Sequence, residues 1–201
     1  SNYQNNIILK FKSNKQILEY VNGVNLNNYS QKGTVTPDHV IRTKQKPLIL
    51  NLDNLKTFED FRRVFHLELK KYISRYNNYF YKNNKRVGLK KIKLDSLPRI
   101  ILIPRLGMFS IGNNNKNVNI VQDLAETNIN VILNAEKIGK FHSISNSDTF
   151  NMEYWSLEQA KMKKNVSKKL DGQIVVVTGG SGAIGFATAS EFKNEGAEVI
   201  I

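Results

Sequence analysis

The feature that most constrains this chain lies near its end. In Gln173-Ile174-Val175-Val176-Val177 the four residues after the glutamine are a continuous apolar, β-branched run. Such a run fits a parallel strand covered on both faces, since a half-exposed strand would alternate with polar residues. It passes directly into Thr178-Gly179-Gly180-Ser181-Gly182-Ala183-Ile184-Gly185. A helical stretch follows with Ala187, Ala189 and Phe192 apolar, then Gly196 as a stop, then Glu198–Ile201 as a second strand. Parallel neighbours need a crossover, and a helix is the usual one. The chain is therefore α/β.

Strand, glycine turn, helix and strand in this order form the opening of a dinucleotide-binding unit. The chain must reverse sharply after the strand, which favours residues without Cβ. A pyrophosphate approaches the helix N-terminus, where unpaired N–H groups and the positive end of the helix dipole meet it. The candidate cofactor-binding residues are Thr178, Gly179, Gly180, Ser181, Gly182, Ala183, Ile184 and Gly185. Two registers fit them. Gly180, Gly182 and Gly185 satisfy G-x-G-x-x-G, and Thr178, Gly179, Ala183 and Gly185 satisfy T-G-x-x-x-G-x-G with alanine at its middle glycine. In either register Gly185 is expected to let helix and strand pack closely.

The preceding residues read as a mixed α/β unit. Ile7–Phe11 is a candidate strand, and Ser13 a candidate cap for a helix bearing Ile17, Leu18 and Val21 and stopped by Gly23. Residues 24–47 are loop-like, and Leu48–Leu52 is a short strand. Thr57 with Asp60 three residues on resembles a capping box. After it, Phe61, Val64, Phe65, Leu69, Tyr72, Ile73, Tyr76 and Phe80 recur at helical spacing, an arrangement that favours core over a base-stacking platform. Arg99–Ile103 and Met108–Ile111 form strand–turn–strand around Gly107. A second long helix spans about 117–138 and ends at Gly139, and Ser147 or Asp148 caps a third. Glu153 and Glu158, flanking Trp155, read as exposed charges. The expected organisation is a connecting domain over 1–160, a linker over 161–171, and an incomplete Rossmann domain from 172 to 201.

The net charge of +13 raises nucleic acid as a partner. The cations are 23 lysines and 7 arginines dispersed along the chain, beside 26 asparagines, the imprint of an A+T-rich coding sequence. No zinc-finger or RNA-binding motif accompanies them, so nucleic acid is not expected as a partner. No apolar run reaches the roughly 18–20 residues of a membrane helix. The expected setting is the cytoplasm, without a membrane partner. With no cysteine there is neither a disulfide nor a thiolate metal site. His39, His66 and His142 are scattered. His39 lies near Arg42 and Lys44 in a loop with potential for an anionic ligand, although a loop-fixing role is the simpler reading.

The strings GTVTPDHVIRTK, PRIILIPRLGMFSIG and EYWSLEQAK, followed by TGGSGAIG, resemble the bifunctional class II aldolase/short-chain dehydrogenase family of the rhamnulose-1-phosphate aldolase/lactaldehyde dehydrogenase type. The resemblance runs from about residue 30 to the end. It implies a junction between an upstream aldolase half and a downstream dehydrogenase half using NAD or NADP. It also implies sugar phosphate and aldehyde substrates and a homo-oligomeric full-length protein. Arg105-Leu106-Gly107 stands where an aldolase carries asparagine-histidine-glycine. Leu106 cannot bind metal, so a divalent metal such as zinc is expected only upstream. No catalytic residue is assigned here. A stand-alone short-chain dehydrogenase with an unrelated N-terminal extension is the alternative. The missing initiator methionine and the strand at the C-terminus suggest an excerpt. The 201 residues alone are therefore expected to catalyse neither aldol cleavage nor aldehyde reduction. Turnover by this chain with nicotinamide cofactor and an aldehyde would refute that expectation.

Overall fold

The computed structural model describes residues 7–157, 160 and 168–201. Its centre is a four-stranded sheet ordered β1 (Ile8–Lys12), β4 (Gly107–Gly112), β3 (Ile100–Ile103), β2 (Leu48–Ile49). β4 runs antiparallel to both β1 and β3, whereas β2 runs parallel to β3. All four residues of β3 are buried. Alternate side chains on a strand point to opposite faces, so β3 requires cover on both.

One face meets α1 (Lys15–Val21) and α5 (Asn115–Ile138). There Ile100, Leu102 and Met108 pack with Ile17, Val21, Val121, Ala125, Ile129 and Ile132. The opposite face meets α4 (Phe58–Arg86), where Ile101 and Ile103 pack with Leu48, Leu50 and Tyr72. A third cluster of Phe80, Phe150 and Tyr154 joins the end of α4 to α6 (Asn146–Glu153) and the residue after it. The result is three layers, helix–sheet–helix.

The long helices begin where their side chains satisfy the first backbone donors. Thr57 accepts from the Asp60 N–H at 3.1 Å, and the Asp60 carboxylate accepts from the Thr57 N–H at 3.2 Å, completing the expected capping box. Other boundaries differ from the sequence reading. Asn14, not Ser13, caps α1, accepting from the Ile17 N–H at 2.8 Å. Asn114 caps α5 and so starts it at Asn115. Ser145, not Ser147 or Asp148, caps α6. Ile138 is 93% exposed and leaves the apolar stripe of α5.

The expected loop over 24–47 holds two one-turn helices, α2 (Leu26–Tyr29) and α3 (Val40–Thr43), and a 3₁₀ turn at Pro37–His39. Four residues are too few to display helical periodicity, and burial of Leu26, Tyr29, Val40 and Ile41 anchors them. The expected linker lies partly outside the described residues.

Glu153, read as an exposed charge, is fully buried. Its partner Lys44 is 5% exposed and stands just past α3 at φ 63°. Lys44 Nζ lies 3.6 Å from Glu153 Oε1 and donates to the Tyr76 hydroxyl at 3.0 Å. That hydroxyl donates to Glu153 Oε1 at 2.8 Å and lies 2.8 Å from the Tyr154 hydroxyl. Burial pushes the Glu153 carboxyl above its ordinary range, against the pull of Lys44 and of hydrogen bonds from Tyr76 and Tyr79. Burial pushes the Lys44 ammonium down, against the opposing effect of Glu153. Breaking such a pair leaves one buried charge uncompensated and costs about 3–5 kcal/mol. Glu153→Gln and Lys44→Met should each destabilise the protein on that scale in urea unfolding, and the double variant should lose less than their sum. The sign with pH follows from the raised Glu153 value. Its contribution is complete below the ordinary pKa of 4.5 and declines as pH rises through the native value, a dependence Glu153→Gln should remove.

Candidate functional site

The C-terminal segment folds as β5 (Ile174–Val176), α7 (Ala183–Asn194) and β6 (Glu198–Ile200), with β5 and β6 parallel. The strand–helix–strand order matches the sequence reading. The expected two-sided burial of β5 does not appear. Ile174 and Val176, on one face, are 67% and 66% exposed because no described residues cover it, whereas Val175 on the other is partly buried.

The eight candidate residues form one continuous turn from the end of β5 to the start of α7. Gly179 takes φ 74°, a conformation open to glycine and strained for most L-residues. The Gly182 N–H donates to the Gly179 carbonyl at 3.0 Å, closing the turn. Gly182 stands at the N-cap of α7 without a capping side chain. The first N–H groups of α7 have no intrahelical acceptor, as at any helix start.

A Cβ at Gly180 would meet the Ile201 side chain at 2.1 Å, but Gly185 is the one held by backbone. A Cβ there would lie 2.2 Å from the Gly179 carbonyl oxygen and 2.8 Å from Gly180 Cα. Both obstacles are backbone, so no rotamer change relieves them. The close approach is therefore between helix and turn. A Cβ at Gly182 would reach the Gly179 carbonyl oxygen only at 3.4 Å, an ordinary contact. Thr178, Ser181, Ala183 and Ile184 are exposed, Ile184 at 86%. The turn thus presents a small-residue surface beside a helix N-terminus.

The other singled-out residues serve the scaffold. Arg105 and Leu106 form the tip of the β3–β4 hairpin, with Arg105 at φ 66° and paired to Asp53. The His39 Nδ1 lies 3.4 Å from Asn128 Oδ1, and His66 bonds the Arg62 carbonyl within its own helix. Lys44, which had seemed available to an anion beside His39, is turned inward to Glu153. Among the described residues no three His, Asp or Glu side chains come together as metal ligands. No described helix is long and apolar enough to cross a membrane.

A three-layer α/β unit followed by a glycine-turn strand–helix–strand defines the class of this chain. Residues 1–162 match the family described as aldolase class II, second domain, and the chain belongs to that family. It is also 31% identical over 199 residues to the uncharacterized oxidoreductase YuxG of Bacillus subtilis (strain 168). That alignment covers 97% of this chain and 28% of the relative's own length. No solved structure matches.

The glycine contacts separate two substitutions. Gly185→Ala should destabilise the β5–α7–β6 unit by about 1–3 kcal/mol, as overpacking against backbone does, despite alanine's better helix propensity. Gly182→Ala should leave it nearly unchanged. Amide hydrogen exchange along β5 checks both. Equal protection in the two variants would refute the packing role of Gly185.

Proposed function

We propose that this chain is the junction of a bifunctional sugar-catabolic enzyme of the cytoplasm. Upstream residues cleave a ketose 1-phosphate by retro-aldol chemistry. Downstream residues complete a short-chain dehydrogenase domain that interconverts an aldehyde and an alcohol with NAD or NADP. The observation that carries the dehydrogenase half is the turn from Thr178 to Gly185. Its left-handed Gly179, its Gly185 seated on backbone and its uncapped helix start fit the phosphates of a dinucleotide. The family membership of residues 1–162 supports the aldolase half and weighs against an unrelated extension. The name of the Bacillus relative, an oxidoreductase aligned across the turn, supports the other half.

In this reading the N–H groups at the start of α7 bind a phosphate oxygen. Gly179, where a Cβ would meet nothing within 4 Å, keeps the approach free of a side chain, and Ser181 offers a hydroxyl at its rim. The dinucleotide, when bound, supplies hydride transfer. The expected metal belongs to the aldolase half, and no ligand set for it stands among the described residues.

Gly182→Val tests the reading in the longer protein, with the residues flanking this chain included. A side chain fits the fold at Gly182 but stands in the phosphate approach. Dinucleotide affinity, followed by nicotinamide fluorescence, should fall about tenfold or more. The melting temperature should hold. Unchanged affinity would refute the assignment of the turn.

A further inference from the structure

A cleft of about 810 Å³ opens between α4, the segment after α3, and the start of α6. Its volume falls in the range of small-molecule sites, roughly 300–1,000 Å³. One wall is a stripe of α4 at helical spacing that carries Arg75, Lys82 and Arg86, and Lys46 faces it from the segment after α3. Among the described residues, no aspartate or glutamate lines the cleft. Among the described residues, no carboxylate lies within ion-pair range of Lys46, Arg75 or Lys82. Elsewhere on α4, Lys70 and Lys85 are likewise without a carboxylate in ion-pair range among the described residues, but three other cations are paired. Arg62, Arg63 and Lys71 each meet a carboxylate three residues away on the same helix.

The floor of the cleft is built. Gln45 is 8% exposed, and its amide donates to Asn146 Oδ1 at 2.6 Å, joining the α3 side to the start of α6. Tyr76, held by Glu153 and Tyr154, lines the same floor. Arg86 is fixed at the rim by Asn151 Oδ1 at 2.8 Å and the Ser147 carbonyl at 3.3 Å. The Lys46 ammonium is pushed below its ordinary range by burial and by Arg75. Like charges gathered in a partly enclosed cleft repel one another, and an anion seated among them reverses that cost.

We propose that this cleft binds a small phosphate ester of a polyol, with Lys46, Arg75 and Lys82 taking the phosphate and the Gln45–Asn146 amides facing the hydroxyls. The inference is independent of the dinucleotide reading, which concerns residues on another part of the chain. Two or three cations suit a dianion, and the guanidinium of Arg75 offers paired donors to phosphate oxygens. The amides of the floor suit hydroxyl groups better than an apolar ligand.

The probe is glycerol 3-phosphate, titrated calorimetrically into this chain at physiological ionic strength, with glycerol and inorganic phosphate in parallel. Saturable binding of the ester, weaker binding of inorganic phosphate and none of glycerol are expected. Arg75→Gln with Lys82→Gln should weaken ester binding about tenfold or more. Lys70→Gln with Lys90→Gln, which removes as much charge outside the cleft, should leave it unchanged. Unaltered protein gives a second readout: the ester should slow acylation of Lys46 by an amine-reactive reagent without slowing that of Lys70. No saturable binding would overturn the proposal, as would equal loss in both double variants. Inorganic phosphate binding as tightly as the ester would overturn the assignment to a polyol. Binding of a short nucleic-acid duplex through the same residues, without binding of the ester, would overturn the small-ligand reading.

Discussion

Burial of β3 on both faces organises residues 7–157. Ile100 and Leu102 face one helical layer and Ile101 and Ile103 the other. A four-residue strand with apolar side chains on each face is stable only between two covers. α5 supplies one and α4 the other, and each is long enough to extend well beyond the sheet. The overhang of α4 matters for everything else. Its first half, with Phe61, Val64 and Phe65, belongs to the sheet, whereas Phe80 belongs to a separate cluster with Phe150 and Tyr154. Between those two packing zones lie Tyr72, Tyr76 and Tyr79, whose polar tips require partners.

Those partners define the interior chemistry. Tyr76 bridges a lysine just past α3 and a glutamate at the end of α6, so one hydroxyl fixes three helices relative to each other. Geometry at the lysine shows the constraint: Lys44 takes a left-handed backbone conformation, unfavourable for its residue type, and its ammonium lies 4.1 Å from the centre of the Tyr76 ring. The same tyrosine forms the floor of the cationic cleft. Stability and the candidate anion site therefore share a wall. Along α4, Arg62, Arg63 and Lys71 are paired with carboxylates on their own helix, whereas Arg75 and Lys82 at the cleft meet none among the described residues.

The sequence makes some of this legible and conceals the rest for physical reasons. The capping box at Thr57 is readable because its two members are three residues apart and their bonding is local. The cap of α6 is ambiguous because Ser145, Ser147 and Asp148 are all competent, and the packing of Thr149 and Phe150 selects the frame. The short helices between 24 and 47 carry no periodic signal and exist because tertiary contacts bury their apolar residues. Glu153 looks like a surface charge since its environment depends on Lys44 and Tyr76, distant in sequence. The cleft is invisible for a related reason: its cations come from two segments, and only folding shows that no carboxylate joins them.

The glycine turn is the opposite case, and it clarifies what a glycine motif contains. Three different demands are superimposed in Thr178–Gly185. Gly179 answers a backbone angle, Gly185 answers contact with neighbouring backbone, and Gly182 answers neither, since a methyl there meets only ordinary contacts. The first two demands are those of any tight strand-to-helix reversal and would hold in a domain that binds nothing. Gly182 is the residue whose lack of a side chain the fold does not require. If the motif were purely structural, an N-capping serine, threonine or aspartate would serve better at this position, because its side chain would satisfy a free N–H of α7. A glycine there leaves those donors open, at some cost to the isolated helix. That cost is only a few tenths of a kcal/mol, since glycine is itself an accepted N-cap residue. In the proposed reading the phosphate takes the place of the missing capping side chain at Gly182, the one glycine of the three that neither a backbone angle nor a backbone contact requires.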